Sequence, residues 1–185
     1  MHIRKIHNRE ISLLADHLKR LSAEDRGFRF AANHVSDDWI DRYTASIRPN
    51  DVVLGAFDGD QLVGAVHVAF ADDLAEIGVS VDSGWRARGV GADLFNRAIG
   101  WARNRRAKKL YTLCQSNNRS MLALANRLGM TIHRESGTAE AFLPLDPPDL
   151  ATVSEQVGTE WTTVVDDWVA VVRSCHSLWS KNLHP

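Results

Sequence analysis

The residues best suited to bind a charged ligand lie between Ala75 and Ala92, where an apolar strand is followed by a helix. Arg86, Gly89 and Gly91 stand at the junction. Glycine lacks a Cβ, so backbone N–H groups there can approach a ligand closely. The helix start adds unpaired N–H donors and the positive end of the helix dipole. The pattern predicts an anion site suited to a diphosphate; a tight turn with small residues for packing is the alternative.

Other phosphate motifs do not fit this junction. It lacks the Gly-Lys-Ser/Thr of a P-loop, and the three-glycine spacing of the dinucleotide-binding fingerprint is missing. The two cysteines, Cys114 and Cys175, are too few for a disulfide framework or a zinc site. We therefore expect buried, unreactive thiols and no metal.

The overall composition disfavours several classes of partner. The chain carries 22 Lys and Arg against 23 Asp and Glu, so no global field draws it to nucleic acid or an anionic membrane. No run approaches the roughly 20 apolar residues that span a bilayer. The start, Met1–Lys5, lacks the apolar stretch of a secretion signal. We expect a cytoplasmic protein without nucleic-acid or membrane partners.

Hydrophobic periodicity predicts the elements that position the junction. Helical spacing predicts helices at 10–21, after Ser36, at 90–101 and at 118–128. Extended apolar runs predict strands at 2–6, 52–57, 61–70, 74–81, 110–114, 131–134 and 140–145. This order predicts an α+β fold of three layers: a mixed, mostly antiparallel sheet of six to seven strands flanked by helices.

The end of the chain has a different character. An apolar stripe at helical spacing runs from Trp161 to Trp179 and predicts an amphipathic helix. We therefore divide the chain into a domain of residues 1–148 and a C-terminal helical extension of residues 149–185. The stripe either packs on its own domain or forms the contact of a homodimer.

Two motifs resemble those of the GNAT acyltransferase superfamily. Arg86-x-x-Gly89-x-Gly91 resembles its Gln/Arg-x-x-Gly-x-Gly/Ala loop, which holds the pyrophosphate of acyl-CoA. The segment from Asn118 to Met130 resembles its following helix, which begins with Asn and ends in Gly-Phe. The resemblance covers about residues 2–146 and implies the GNAT fold, with acetyl-CoA as cosubstrate.

A narrower likeness concerns Leu21-Ser22, Asp25-Arg26, Arg29-Phe30 and Ala75-Glu76. These pairs are similar to those in the acetyltransferase domain of bacterial protein-lysine acetyltransferases that act on acyl-CoA synthetases. The implied acceptor is a protein lysine.

The resemblance also implies which residues form the site. The strand carrying Val79 and Val81 would splay from its neighbour around a bulge, and its backbone would pair with pantetheine, one N–H polarising the thioester carbonyl. Asn118 would contact the pantetheine arm, or it is simply a helix cap. The expected loop residues are Arg86, Ala87, Arg88, Gly89, Val90, Gly91 and Ala92.

An amine must be neutral to attack a thioester, so a base is needed. A lysine amine has a pKa of about 10.4, so roughly one amine in two thousand is unprotonated at pH 7. Glu76 is the candidate, from the resemblance and because it shares a strand face with Gly78 and Ser80; a solvated or paired carboxylate is the alternative. His67, the titratable group of an apolar strand, is the second candidate base, although a core histidine is the simpler interpretation.

One position departs from the family pattern. Many members carry a tyrosine that protonates the leaving thiolate where this chain has Ala125, so no general acid is predicted. Three functions stay open: acetylation of a protein lysine, acetylation of a small amine such as a polyamine, amino acid or antibiotic, and acyl-CoA binding without catalysis.

Overall fold

The computed structural model describes residues 1–149, 153, 154 and 156. Its centre is a seven-stranded sheet in the order β1-β2-β3-β4-β5-β7-β6, with β4 and β5 parallel and all other neighbours antiparallel. The strands are β1 His2–Lys5, β2 Val52–Asp58, β3 Gln61–Ala71, β4 Leu74–Val81, β5 Lys109–Gln115, β6 Thr131–Glu135 and β7 Thr138–Pro144. The helices are α1 Ile11–Arg20, α2 Ala23–Phe30, α3 Asp37–Ala45, α4 Val90–Asn104 and α5 Arg119–Arg127.

Helices cover both faces of the sheet, which confirms the predicted three layers. On one face, α4 and α5 bury Leu94, Phe95 and Met121 against Leu54, Val66 and other strand residues. On the other face, α1 and α3 bury Leu14, Leu18 and Ile40 against alternate residues of β2 and β3. The two cores use opposite sides of the same strands, as the period-2 geometry of a strand requires.

The sequence missed one helix, α2. Its eight residues contain few apolar side chains and a central glycine, so hydrophobic spacing gave no signal. The capping signal was present: the Ser22 hydroxyl accepts the Asp25 N–H at 3.1 Å. Gly27 is required because a Cβ there would lie 2.9 Å from the Ala32 carbonyl oxygen.

The parallel pair β4–β5 opens along its length. Pairing stops at Glu76↔Tyr111, although β4 continues to Val81 and β5 to Gln115. The expected bulge in β4 is wrong, because its register against β3 is unbroken from Leu74 to Val81. On its other edge β5 stays paired with β7 over its whole length, and α2 contacts both strands beyond the point where β4 and β5 separate.

Helix ends follow the predicted signals. Ser36 caps α3 by accepting the Trp39 N–H, and Asn118 caps α5 by accepting the Met121 N–H at 3.1 Å. After α5, Gly129 has φ +72°, and the Met130 N–H donates to the Ala125 carbonyl, which gives the predicted glycine termination.

Two predictions can be compared with the structure only over the described residues. The helix at 161–179 lies outside the described residues, as does most of the 149–185 extension. Within the part that is described, no helix has the length and apolarity needed to cross a bilayer.

The α4 face supplies a direct test of the core. We expect Leu94→Ala to lower the free energy of unfolding by about 2–5 kcal/mol, because the side chain is 0% exposed and leaves a cavity. Leu113→Ala is the matched control, since that leucine is 37% exposed and should cost less than about 1 kcal/mol. Urea unfolding measures both; equal losses would contradict the assignment of the core.

Candidate functional site

A cavity of about 520 Å³ occupies the opening between β4 and β5. Its walls come from five directions: the β4 residues 78–81, the β5 residues 112–114, the start of α4, helix α2 and helix α5. The free edge of β4 beyond Glu76 therefore faces a space instead of a neighbouring strand. An extended ligand can bind there by backbone pairing, as an added strand would.

One end of the cavity is the loop before α4. Ala87 and Gly89 both adopt the left-handed conformation, with φ +57° and +87°. Gly89 is the N-cap of α4 and has no side-chain cap bond, so the helix N–H groups remain available to a ligand. Successive N–H groups in such a turn form an anion nest at the positive end of the helix dipole.

Most of the predicted coenzyme residues line this cavity: Val79, Val81, Arg86, Ala87, Gly89, Val90, Gly91, Ala92 and Asn118. The side chain of Asn118 also caps α5, so it serves the structural role as well. Arg88 is not part of the wall; its guanidinium lies 5.0 Å from the Trp85 ring centroid. Glu76 lies just outside the wall, exposed, at the residue where the opening begins.

Helix α2 forms a wall that sequence reasoning did not assign to the site. Asp25 pairs with Arg86 at 2.7 Å, which ties the helix to the loop before α4. Partial burial alone would raise the pKa of Asp25, but the hydrogen bond and charge of Arg86 hold it below its ordinary value. Arg86 thus lies in the cavity wall, as predicted, and forms an ion pair with a carboxylate of the protein. The Ser22 and Asp25 capping pattern was the signal that could have placed this wall.

His67, the second candidate base, is a core histidine. Its Nδ1 lies 2.7 Å from the Tyr43 hydroxyl, and it is absent from the cavity wall. Burial, followed by the nearby charge of Arg29, lowers the pKa of His67 to about 4. A group that is neutral and already hydrogen-bonded in this way is poorly placed to take a proton from a substrate in the cavity.

A second buried histidine was missed by the sequence reading. His17 is 0% exposed; its Nε2 lies 2.9 Å from the Ser80 hydroxyl and its Nδ1 3.0 Å from Asp82 Oδ1. These contacts join α1 to the end of β4, where Ser80 is part of the cavity wall. Only the alternation of β4 could have signalled that Ser80 faces α1.

Two further positions bear on the chemistry of the site. Ala125 is 1% exposed and not part of the cavity wall, and it offers no proton donor where many family members have tyrosine. Cys114 is a buried free thiol in the cavity wall, and burial raises its pKa, which keeps it in the unreactive thiol form.

Comparison with known proteins agrees with this geometry. The sequence profile described as "Acetyltransferase (GNAT) family" matches residues 16–130. The chain therefore belongs to the GNAT acetyltransferase family, which confirms the resemblance seen in the two motifs. It is an N-acetyltransferase of that family, whose enzymes use acetyl-CoA as cosubstrate. No curated protein matches the chain by sequence.

Solved structures share the fold at low sequence identity. The GNAT domain of S. lividans PAT matches with a TM-score of 0.65 and 22% identity over 77% of this chain and 89% of that one. The ribosomal-protein-S18-alanine N-acetyltransferase from Escherichia coli gives 0.64 and 16%, over 80% and 96%. A GNAT-family acetyltransferase from Streptococcus pneumoniae gives 0.64 and 17%, over 78% and 99%.

The nest makes a prediction about coenzyme affinity. Gly89→Ala should weaken CoA binding roughly tenfold, because a non-glycine residue in the left-handed region costs about 1–2 kcal/mol; the free loop should relax out of the nest conformation, and binding must then restore it. Gly84→Ala is the matched control, since that glycine stands in open space without a left-handed φ. Isothermal titration calorimetry measures both variants; an unchanged affinity in Gly89→Ala would count against the nest as the binding site.

His67 makes a prediction about pH. Its folded pKa of about 4 lies below the ordinary 6.5, so the unfolded chain takes up the proton first as the pH falls. The free energy of unfolding should therefore decrease between pH 6.5 and 4, by at most about 3 kcal/mol from this group. His67→Gln should show a smaller decrease in urea unfolding. An NMR titration midpoint near 6.5 for His67 would contradict this.

Proposed function

We propose that the chain transfers an acetyl group from acetyl-CoA to a primary amine, and that the preferred acceptor is a lysine of a protein. The observation that carries the proposal is the opening between β4 and β5, with an anion nest at one end and a carboxylate at the other. A pyrophosphate bound in the nest also accounts for the glycines and Arg86 of the loop before α4.

The chain has the groups needed to hold the coenzyme. The nest around Gly89 would take the pyrophosphate, with Arg86 adding charge. The free edge of β4 at Val79 and Val81 would pair with the pantetheine amides. Bound acetyl-CoA supplies an activated thioester. A backbone N–H of β4 would then donate to the carbonyl oxygen, where negative charge develops during attack.

Glu76 is the base we propose. It stands at the last paired residue of β4, on the strand face that Gly78 and Ser80 share, and its exposed carboxylate is accessible to water. It would accept the proton of the attacking ammonium through a water molecule. The amine nitrogen then bonds to the acyl carbon while the C–S bond breaks, and the second amine proton passes through solvent to the departing thiolate. The thiolate leaves without a proton donor at position 125.

The surroundings of Glu76 support a large acceptor. Its partner across the ladder is Tyr111, whose hydroxyl donates to Glu140 at 3.0 Å. Burial and that hydrogen bond raise the pKa of Tyr111 to about 12, so the phenol stays protonated. Glu76, Glu140 and Leu113 are all exposed, so a lysine on a folded protein can reach this face of the sheet.

A small amine is the second candidate acceptor. The cavity wall contains two carboxylates, Glu24 and Asp25; Asp25 is paired with Arg86, so Glu24 is the group that would attract a cationic polyamine. The two acceptors are separated by thiol release from acetyl-CoA with matched substrates: lysine peptides and folded lysine-rich proteins on one side, spermidine, amino acids and aminoglycosides on the other. Tight CoA binding without thiol release from any amine would instead favour a non-catalytic module.

Glu76→Gln tests the base. We expect kcat to fall about 10²–10⁴-fold at pH 7, with CoA affinity unchanged, because the amide keeps the shape but cannot accept a proton. The loss should shrink as the pH approaches the pKa of the free amine. Glu140→Gln is the control, since that carboxylate already accepts the Tyr111 hydroxyl. A rate equal to wild type in Glu76→Gln would remove the assignment.

A further inference from the structure

One charged residue of the cavity wall has no part in the chemistry described so far: Arg29 of α2. Its guanidinium lies directly over Gly78 of β4, and a Cβ at Gly78 would overlap it. Both residues line the cavity. The missing side chain at position 78 therefore lets a half-buried cation approach the free edge of β4.

The position of Arg29 along β4 separates it from the nest. Gly91, in the nest, lies next to Val81, since a Cβ at Gly91 would be 3.6 Å from the Val81 side chain. Gly78 is three residues closer to the last paired residue, Glu76, and a strand rises about 3.3 Å per residue. Arg29 thus stands roughly 10 Å from the nest, at the end where the acyl group and the acceptor meet.

The charge of Arg29 is not neutralised by the described part of the chain. No ion pair within 4 Å joins it to a carboxylate of the described residues, whereas Arg86 in the same wall is paired with Asp25. Its hydrogen bond is to a neutral group: Nη2 donates to the Tyr43 hydroxyl at 2.8 Å. A guanidinium offers further N–H donors in a planar fork that matches a carboxylate.

A chain of buried and partly buried groups fixes the guanidinium from behind. The Tyr43 hydroxyl lies 2.7 Å from Nδ1 of His67, and His67 Nε2 lies 3.4 Å from Asp51, whose side chain is 3% exposed. The Phe30 ring supports Arg29 on another side, 4.7 Å from ring centroid to Cζ. Because the cation is held before any ligand arrives, little ordering entropy opposes binding.

We propose that Arg29 binds a carboxylate carried by the substrate at the acyl end of the cavity. The inference rests on the proposed transfer of an acyl group from CoA to an amine, and it extends the substrates of that reaction to a carboxylated acyl group or a carboxylated acceptor. The carboxylate has two sources: the far end of a dicarboxylic acyl chain, as in succinyl-CoA, or the acceptor amine, as in an amino acid. In either case the carboxylate forms a charge-assisted hydrogen bond to the Arg29 guanidinium. Folding has already removed part of the water around that cation, so binding bears less of the desolvation cost.

Two binding arms distinguish the sources without using turnover. The first compares succinyl-CoA with acetyl-CoA by calorimetry in the absence of acceptor. The second compares γ-aminobutyrate with n-butylamine, titrated into protein saturated with CoA. In wild type, the carboxylated compound of one pair should have a Kd about 10- to 100-fold lower than the counterpart that lacks this carboxylate. This is the range expected for a hydrogen bond to a charged group.

Arg29→Met should abolish that preference, and Arg42→Met should leave it unchanged. Arg42 is a matched control because it is exposed on α3 and not part of the wall. If Arg29→Met does not fold, Arg29→Lys replaces it: an ammonium keeps the charge but loses the fork, so the preference should fall partly.

The proposal is overturned if wild type shows no preference in either arm, or if a folded Arg29 variant keeps the full preference. Failure of the proposed function is a different result: no thiol release from acetyl-CoA or succinyl-CoA with any amine, read in the separate turnover assay. The binding arms remain decisive in that case.

Discussion

The separation of β4 from β5 after Glu76↔Tyr111 is the constraint on which the site depends. A fully paired parallel ladder would leave no backbone groups for a ligand and no space between the strands. Each strand instead keeps one antiparallel partner, β3 for β4 and β7 for β5, so the sheet stays continuous although its middle is open. The cores on both faces stabilise this arrangement, because every strand beside the opening is anchored elsewhere.

Helix α2 maintains the opening from one face. The Gln115 side chain, at the end of β5, donates to the Gly27 and Ala32 carbonyls at 3.3 and 3.0 Å. Arg29 from the same helix covers Gly78 of β4. The helix thus contacts both separated strands, β5 through hydrogen bonds from Gln115 and β4 through the close approach of Arg29 to Gly78, and its own packing needs a glycine at position 27. A polar helix of only eight residues can keep this position because hydrogen bonds of defined geometry hold it in place.

The fold was largely predictable from the sequence, because strong periodicity and turn chemistry act locally. Strand β4 was placed with its observed bounds, and Gly129 was recognised as a helix end. The loop from Arg86 to Gly91 was found since glycine spacing and a helix start are visible in one dimension. What escaped prediction depends on distant parts of the chain: the α2 wall, the pairing of Arg86 with Asp25, and the neutral state of His67.

The ion pair between Asp25 and Arg86 joins helix α2 to the nest, and α2 extends from there to the acyl end of the opening. Asp25 lies in the first turn of α2 and Arg29 in its last turn, so a rigid eight-residue rod runs from the nest to the acyl end. A diphosphate bound in the nest would compete with Asp25 for the same guanidinium. Loss of the Asp25 contact would relax the restraint on α2 and on the cation at its far end, so loading of the coenzyme would bear on the shape offered to the second substrate.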